Sequence, residues 1–150
     1  MGKPQITLGL LPGQTAALQK QKHQIGNVKG EMATVDYFER KLDDKRRLTI
    51  PVELRDEFVS GVVMTKGFSK YLHMYPKAVW DEQVEPQLQG NILDEKVADL
   101  NVQFRTGKSE SPLDQKQGRI TIEPALLEFA GIDRAVVAVR AGRYWRLLAA

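Results

Sequence analysis

The pattern of hydrophobic and polar positions changes character near residue 34. Before that point, residues 1–32 are rich in Gln, Lys and Gly and show no sustained apolar period. Such a segment buries too little apolar surface to offset the entropy lost on ordering. Its first 30 residues include four lysines and no acidic residue. We therefore expect a disordered basic tail over residues 1–32.

From residue 35 onward, short apolar stretches predict strands and one short helix. Residues 35–39 and 47–50 are rich in β-branched and aromatic side chains, which is typical of strands, and a polar turn lies between them. Pro51 begins a predicted short helix and Gly61 ends it. The remaining predicted strands share valine-rich or aromatic composition, and they span residues 62–65, 71–75, 136–139 and 143–148.

A stretch with helical spacing occupies the middle of the chain. Apolar side chains recur at helical intervals in residues 77–88 and 92–104, which are divided at Gly90-Asn91. Pro86 is expected to kink or end the first of these helices. We assign residues 79–106 to a helical insert.

The pattern of residues 42–58 returns in residues 113–129. Each copy consists of Leu-Asp, a lysine-containing turn, Arg, an apolar residue, Thr and Ile, followed by a short helix that proline begins. Arg47 and Arg119 take the same place in the two copies. Two copies are too few for an open solenoid, and each is too small to bury a core alone, so the halves should share one core. We expect an α+β fold, mainly β.

Composition narrows the possible functions. The chain has 150 residues and no cysteine, which excludes disulfides, a thiol nucleophile and cysteine-bound zinc. We find no apolar stretch of transmembrane length and no secretory signal, so we expect a cytoplasmic protein. The net charge is only +3, but basic residues cluster in residues 40–47 and 134–146, whereas residues 81–99 are acidic. Segregated positive charge favours a polyanionic partner.

The first turn presents three cations together, namely Lys45, Arg46 and Arg47. Binding of such cations to duplex DNA neutralises phosphates and releases counterions. Arginine also forms bidentate contacts with guanine in the major groove, which admits a two-stranded β-ribbon. Asp43, four residues before Arg47, is a candidate for orienting its guanidinium. A basic turn of this kind is also compatible with a merely solvated surface.

Enzymatic chemistry finds no support in the sequence. His23 and His73 are the two histidines, and neither has the clustered ligands that a metal site needs, so a structural role is expected for His73. Gly107-Lys108-Ser109 lacks the earlier glycine of a phosphate-binding loop. No serine lies in a Gly-x-Ser-x-Gly elbow. We predict no catalytic residue, no metal and no cofactor.

Three segments resemble the MraZ family of the AbrB-like, swapped-hairpin superfamily. They are residues 40–51 (Arg-Lys-Leu-Asp-Asp-Lys-Arg-Arg-Leu-Thr-Ile-Pro), residues 117–122 (Gln-Gly-Arg-Ile-Thr-Ile), and residues 71–80 (Tyr-Leu-His-Met-Tyr-Pro, ending in Trp). The resemblance covers about residues 33–148. It implies a double-split β-barrel made of two pseudo-symmetric AbrB-like repeats, residues 35–78 and 107–148, with the helical insert between them.

The resemblance also implies a function. The expected protein is a sequence-specific DNA-binding transcriptional regulator that represses the bacterial division and cell wall gene cluster. It would bind promoter repeats through basic hairpin loops as a homo-oligomeric ring, an octamer or similar, and would be associated with the nucleoid. The aromatic residues of 71–80 and 144–145 are expected in the core rather than at an interface between subunits.

The family signature Asp-x-x-x-Arg assigns the candidate site. The first copy matches at Asp43 and Arg47, with Arg46 where the family usually has glycine. In the second copy Asp114 lies five residues before Arg119, so either one residue is inserted or Gln115 replaces the acid. The predicted DNA contacts are Lys45, Arg46, Arg47, Lys116 and Arg119, with Asp43 as the orienting residue.

The alternative is an AbrB/MazE-type antitoxin or another protein-interaction module. A MazE-like antitoxin would usually have one hairpin repeat and an acidic, disordered C-terminal tail. Here the repeat occurs twice and residues 143–148 form a predicted strand with two arginines. These features favour the DNA-binding regulator.

Overall fold

The computed structural model describes residues 35–150 and shows an α+β fold, mainly β. The expected basic tail, residues 1–32, lies outside the described residues. The strands are β1 Tyr37–Lys41, β2 Arg47–Thr49, β3 Val62–Lys66, β4 Leu72–Pro76, β5 Ser109–Ser111, β6 Arg119–Thr121, β7 Ala135–Ala141 and β8 Tyr144–Ala149. The helices are α1 Val52–Phe58, which is of 3-10 type, α2 (residues 77–88), α3 Glu95–Arg105 and α4 Pro124–Ala130. Helix α2 consists of Lys77–Val79, a π-helical segment Trp80–Val84, and Glu85–Leu88.

The strands form two sheets whose order is symmetric with respect to the two repeats. Six strands form an antiparallel sheet in the order β1-β7-β8-β4-β3-β5, and β2 pairs with β6 in a separate ribbon. The first strand of each repeat therefore pairs with the other repeat, because β1 lies beside β7 and β5 beside β3. This exchange explains why neither repeat completes a sheet alone, and it places a pseudo-twofold axis between β4 and β8.

The helical insert covers one face of the large sheet. Strand register places Val63 and Tyr75 on the same face, where they form a buried cluster with Trp80, Leu88 and Phe104 of the insert. Trp80 and Tyr75 are each 2% exposed, and Trp145 is fully buried. The prediction of a core position is confirmed for Tyr75, Trp80 and Trp145, whereas Tyr71 and Tyr144 are half-buried.

Pro86 does not end the first helix of the insert. Proline has no N–H to donate, and its ring crowds the carbonyl four residues earlier. The chain widens into the π-helical segment directly before it, where Glu85 N–H donates to Trp80 O, five residues back. A π-bulge is one of the recognised ways in which a helix absorbs such an irregularity.

Some strands have other bounds than predicted, and one strand was not predicted. The strand predicted over residues 35–39 begins at Tyr37 and extends to Lys41. The predicted strands 136–139 and 143–148 correspond to β7 and β8. Strand β5, Ser109–Ser111, was not predicted, because its serines and glutamate do not favour strands and only the register with β3 defines it.

Candidate nucleic-acid interface

The candidate site lies on one face of the ribbon that β2 and β6 form. Leu48 pairs with Ile120, and both are buried, at 0% and 1% exposure. Because successive side chains alternate between faces, the flanking residues point away from the core. Arg47 is paired with Thr121, and Arg119 with Thr49. The outer face of the ribbon therefore presents one arginine and one threonine from each repeat.

Turn 1, residues 43–46, holds Arg47 through Asp43. The Asp43 N–H donates to Arg47 O, and the Arg46 N–H donates to Asp43 O, which closes the turn. The Asp43 carboxylate accepts the N–H groups of Lys45 and Arg47, and the Arg47 Nε donates to Asp43 Oδ2 at 2.6 Å. The orienting role predicted for Asp43 thus has a geometric basis.

Turn 2, residues 114–118, repeats this arrangement with one additional residue. The Asp114 N–H donates to Arg119 O, and the Gly118 N–H donates to Asp114 O. Asp114 Oδ1 accepts the Lys116 N–H, and Asp114 Oδ2 accepts from Arg119 Nη2 at 3.1 Å. Of the two alternatives that the sequence left open, the geometry supports the insertion: Asp114 takes the place of Asp43, and Gln115 does not replace it.

Electrostatics keeps both aspartates ionised. The backbone N–H of Arg47 is the largest influence that lowers the pKa of Asp43, to about 2, with further help from its guanidinium. The backbone N–H of Lys116 likewise lowers the pKa of Asp114, and the side chain of Arg119 adds to the effect. Each arginine is therefore held by a charged partner at neutral pH and below.

The two arginines converge on one open surface. Arg47 and Arg119 both line a cavity of about 210 Å³ together with Asp114 and Thr121. Their side chains are 31% and 24% exposed, so each remains within reach of a ligand. As diagonal neighbours in an antiparallel pair, their backbones lie about 7–8 Å apart.

The remaining predicted contacts lie at the two ends of the ribbon. Because β2 and β6 are antiparallel, turn 1 with Lys45 and Arg46 is at one end and turn 2 with Lys116 is at the other. All three side chains are exposed, and none forms an ion pair within residues 35–150. The predicted residues thus lie along one ribbon, but they do not form one cluster.

Sequence reasoning missed Arg55 of helix α1. The Arg55 Nε donates to Ile50 O at 3.1 Å, and its guanidinium lies against Gly118, so close that a Cβ at Gly118 would be 2.1 Å from the Nε. The signal was Gly118 itself, whose φ of +66° suits glycine. The contact joins the helix of the first repeat to the turn of the second.

Other kinds of site are not evident in the described part of the chain. Residues 35–150 contain no group of three His, Asp or Glu side chains that could hold a metal ion. No helix among them is long and apolar enough to cross a membrane. His73 is fully buried, and its Nδ1 lies 2.9 Å from the Tyr75 hydroxyl, as a structural histidine would.

Comparison with known proteins identifies the family. Residues 36–100 match the family model described as "MraZ protein, putative antitoxin-like". A protein of Kineococcus radiotolerans named "Transcriptional regulator MraZ" is 35% identical over 102 residues, which cover 68% of this chain and 71% of that protein. A protein of the same name from Roseiflexus sp. (strain RS-1) is 39% identical over 102 residues, covering 67% and 71%. The one from Cutibacterium acnes is 35% identical over 101 residues, covering 67% and 70%. With two repeats of the Asp–Arg turn and this degree of identity, the chain belongs to the MraZ family.

Proposed function

We propose that this protein is a sequence-specific, double-stranded DNA-binding transcriptional repressor. The observation that carries the proposal is the ribbon face on which Arg47 and Arg119 are each held by an aspartate and remain exposed. The relatives' names, which describe transcriptional regulators, support the same class of function. No catalytic role and no cofactor enter this proposal.

The shape of the site suits the DNA major groove. The groove is about 12 Å wide and admits a two-stranded β-ribbon. An arginine whose Nε is already bound by a carboxylate has lost much of its rotamer freedom, so less entropy is lost when its remaining N–H groups bind a base or a phosphate. Lys45, Arg46 and Lys116 lie at the ends of the ribbon, where they can bind the phosphates on both sides of the groove.

A few arginines per subunit give modest affinity, which is why we also propose an oligomer. Linking several weak contacts makes later binding events intramolecular and multiplies the overall affinity. A closed ring of subunits, an octamer or similar, would present such ribbons to successive promoter repeats. The target we propose, following the family, is the promoter of the bacterial division and cell wall gene cluster. The protein would then be cytoplasmic and associated with the nucleoid.

The exchange of strands between the repeats supports the expected double-split β-barrel. In that arrangement the ribbon of β2 and β6 would close the barrel opposite the insert, so that its outer face is directed toward DNA. The acidic residues of 81–99 would then lie away from the phosphates, where repulsion is smallest.

The test is a mobility-shift titration with duplex DNA from upstream of this protein's own gene, against scrambled DNA, across salt concentrations. Arg47→Ala should lower the affinity for the upstream duplex at least tenfold, because it removes a bidentate contact. Arg143→Ala is the matched control, since it removes an exposed arginine outside the ribbon. Unchanged affinity in Arg47→Ala, or equal binding of both duplexes by the wild type, would contradict sequence-specific binding.

The antitoxin or protein-interaction alternative retains one supporting observation, the words "antitoxin-like" in the description of the family model. It predicts that the main partner is a protein and that substitution of the ribbon arginines leaves the affinity for DNA unchanged. The same titration separates the two functions, because only the regulator loses DNA affinity on substitution of Arg47.

A further inference from the structure

We propose that the two turns of the ribbon differ in DNA recognition: turn 1 binds phosphates alone, whereas turn 2 adds contacts to base edges through Gln115 and Gln117. This inference rests on the proposed function and deepens it, because it assigns specificity to residues outside the Asp–Arg pairs. Its consequence is that each subunit binds DNA in one orientation, although its two halves are pseudo-symmetric.

The two turns have equivalent backbones, so the differences between them lie in their side chains. Both turns have the same closing hydrogen bonds and the same aspartate-held arginine, as described above. Their backbones also continue equivalently into the ribbon, since Ile122 N–H donates to Arg46 O and Ile50 N–H donates to Gly118 O. What differs is the chemistry of the side chains that project from the turns.

Turn 1 presents charge. Lys45 and Arg46 are both exposed, and within residues 35–150 neither side chain has a hydrogen-bond partner or an ion pair. Asp44, the exposed acid of this turn, is paired with Arg134 at 3.4 Å. Two exposed, unpaired cations on adjacent residues suit the dense, sequence-independent charge of the phosphate backbone.

Turn 2 presents amides. Gln115 and Gln117 flank Lys116, all three are exposed, and neither amide side chain has a partner among the described residues. An amide has both a donor and an acceptor, so it can pair with the N6 and N7 positions of adenine, which a lysine cannot do. The additional residue of turn 2 lengthens this turn, and both amides are exposed on it.

Arg55 supports turn 2 from helix α1, and the helix of the second repeat gives turn 1 no equivalent contact. Its guanidinium lies against Gly118 and donates to Ile50 O, so the turn is supported from the side of helix α1. At the same offset that relates Arg47 to Arg119, the second repeat has Leu127, which carries no donor. Base contacts need closely positioned side chains, whereas phosphate contacts tolerate looser ones, so we assign Arg55 as a positioning residue for turn 2.

The experiment compares two double variants in selection from randomised duplexes and in salt titrations. In Gln115→Ala/Gln117→Ala, we expect base preference to flatten at some positions and affinity for the best duplex to fall roughly tenfold to a hundredfold, with an unchanged salt slope. In Lys45→Ala/Arg46→Ala, all duplexes should lose affinity alike, and the salt slope should fall by about two. Arg55→Met should weaken the base preference at the same duplex positions as the glutamine variant and leave the salt slope unchanged. Arg55→Lys should partly restore that base preference.

The outcomes separate this inference from the proposed function. If the wild type selects a duplex and Arg47→Ala abolishes selection, but the glutamine variant keeps the full preference, the proposed difference between the turns is wrong and the proposed function stands. A fall in salt slope in Arg55→Met would make Arg55 a phosphate contact instead of a positioning residue. If the wild type selects no duplex, both proposals fail. All variants change exposed or half-buried side chains, and circular dichroism should show the wild-type fold.

Discussion

His73 should make the stability of this protein depend on pH between about 4 and 6.5. It lies on β4, fully buried, with aromatic rings around it: Phe68 at 4.8 Å and Phe104 at 5.6 Å between ring centroids, and Tyr144 at 4.8 Å. Its Nε2 has no partner among the described residues. Such surroundings accommodate a neutral imidazole and exclude a charged one.

The size of the effect follows from the lowered pKa of His73. Burial is the largest cause and the nearby charge of Arg146 adds to it, so the pKa falls from 6.5 to about 4. At 1.36 kcal/mol per pH unit, the full difference is about 3 kcal/mol. Below pH 6.5 the unfolded chain binds the proton first, so stability is present in full above that pH and is lost as the pH falls toward 4. Between pH 7.5 and 4.5 the expected loss is about 2.5 kcal/mol.

The assay is urea unfolding of the wild type and of His73→Phe at several pH values between 7.5 and 4.5, with circular dichroism as the measure of unfolding. Phenylalanine keeps a ring in the aromatic surroundings. His23 is present in both proteins, so its titration cancels in the difference. We expect the free energy of unfolding of the wild type to fall by about 2.5 kcal/mol relative to the variant. Parallel pH profiles for the two proteins would refute the reasoning, since they would show that His73 titrates alike in both states.

Three further predictions concern the turns. Arg46 has a φ of +62°, so Arg46→Gly should raise the free energy of unfolding by about 0.5–1 kcal/mol in urea while weakening binding to all duplexes alike. Gly118→Ala should lower that free energy by about 2 kcal/mol, because it adds backbone strain and displaces Arg55. The control Gly142→Ala, which has a similar φ but open space around it, should lower it by only about 1 kcal/mol. Equal losses in the two variants would contradict the contact between Arg55 and Gly118. Asp43→Asn should reduce the ratio of specific to nonspecific DNA affinity about tenfold in competition titrations, because the arginine it orients becomes mobile, and an unchanged ratio would remove its orienting role.

Local chemistry made the turns predictable from sequence. Asp43 and Arg47 lie within one turn of each other, so their pairing depends on a few backbone angles and on nothing distant. The same is true of the proline that begins α1. The repeat itself was visible because each copy preserves these local choices.

Pairing between distant strands was not predictable in the same way. Nothing in the composition of β1 specifies β7 as its neighbour, and β5 is defined only by the backbone of β3. The role of Asp114 also depended on the backbone, because the hydrogen bond from Asp114 N–H to Arg119 O shows where the additional residue is accommodated. Arg55 was missed for the same reason, since its contact with Gly118 joins residues of different repeats.

Arg46 shows that the two turns are under different demands. Both need a residue in the left-handed conformation directly before the arginine, and the second turn has glycine there, which adopts it freely. The first turn has an arginine at a cost of about 1 kcal/mol. No contact of the Arg46 side chain offsets this cost, since the side chain is exposed and has no partner within residues 35–150. A residue that breaks a local rule without stabilising the fold points to function. An additional cation at the end of turn 1 is therefore best explained by a ligand outside the chain. The strain at Arg46 and the amides of turn 2 both make the two turns different.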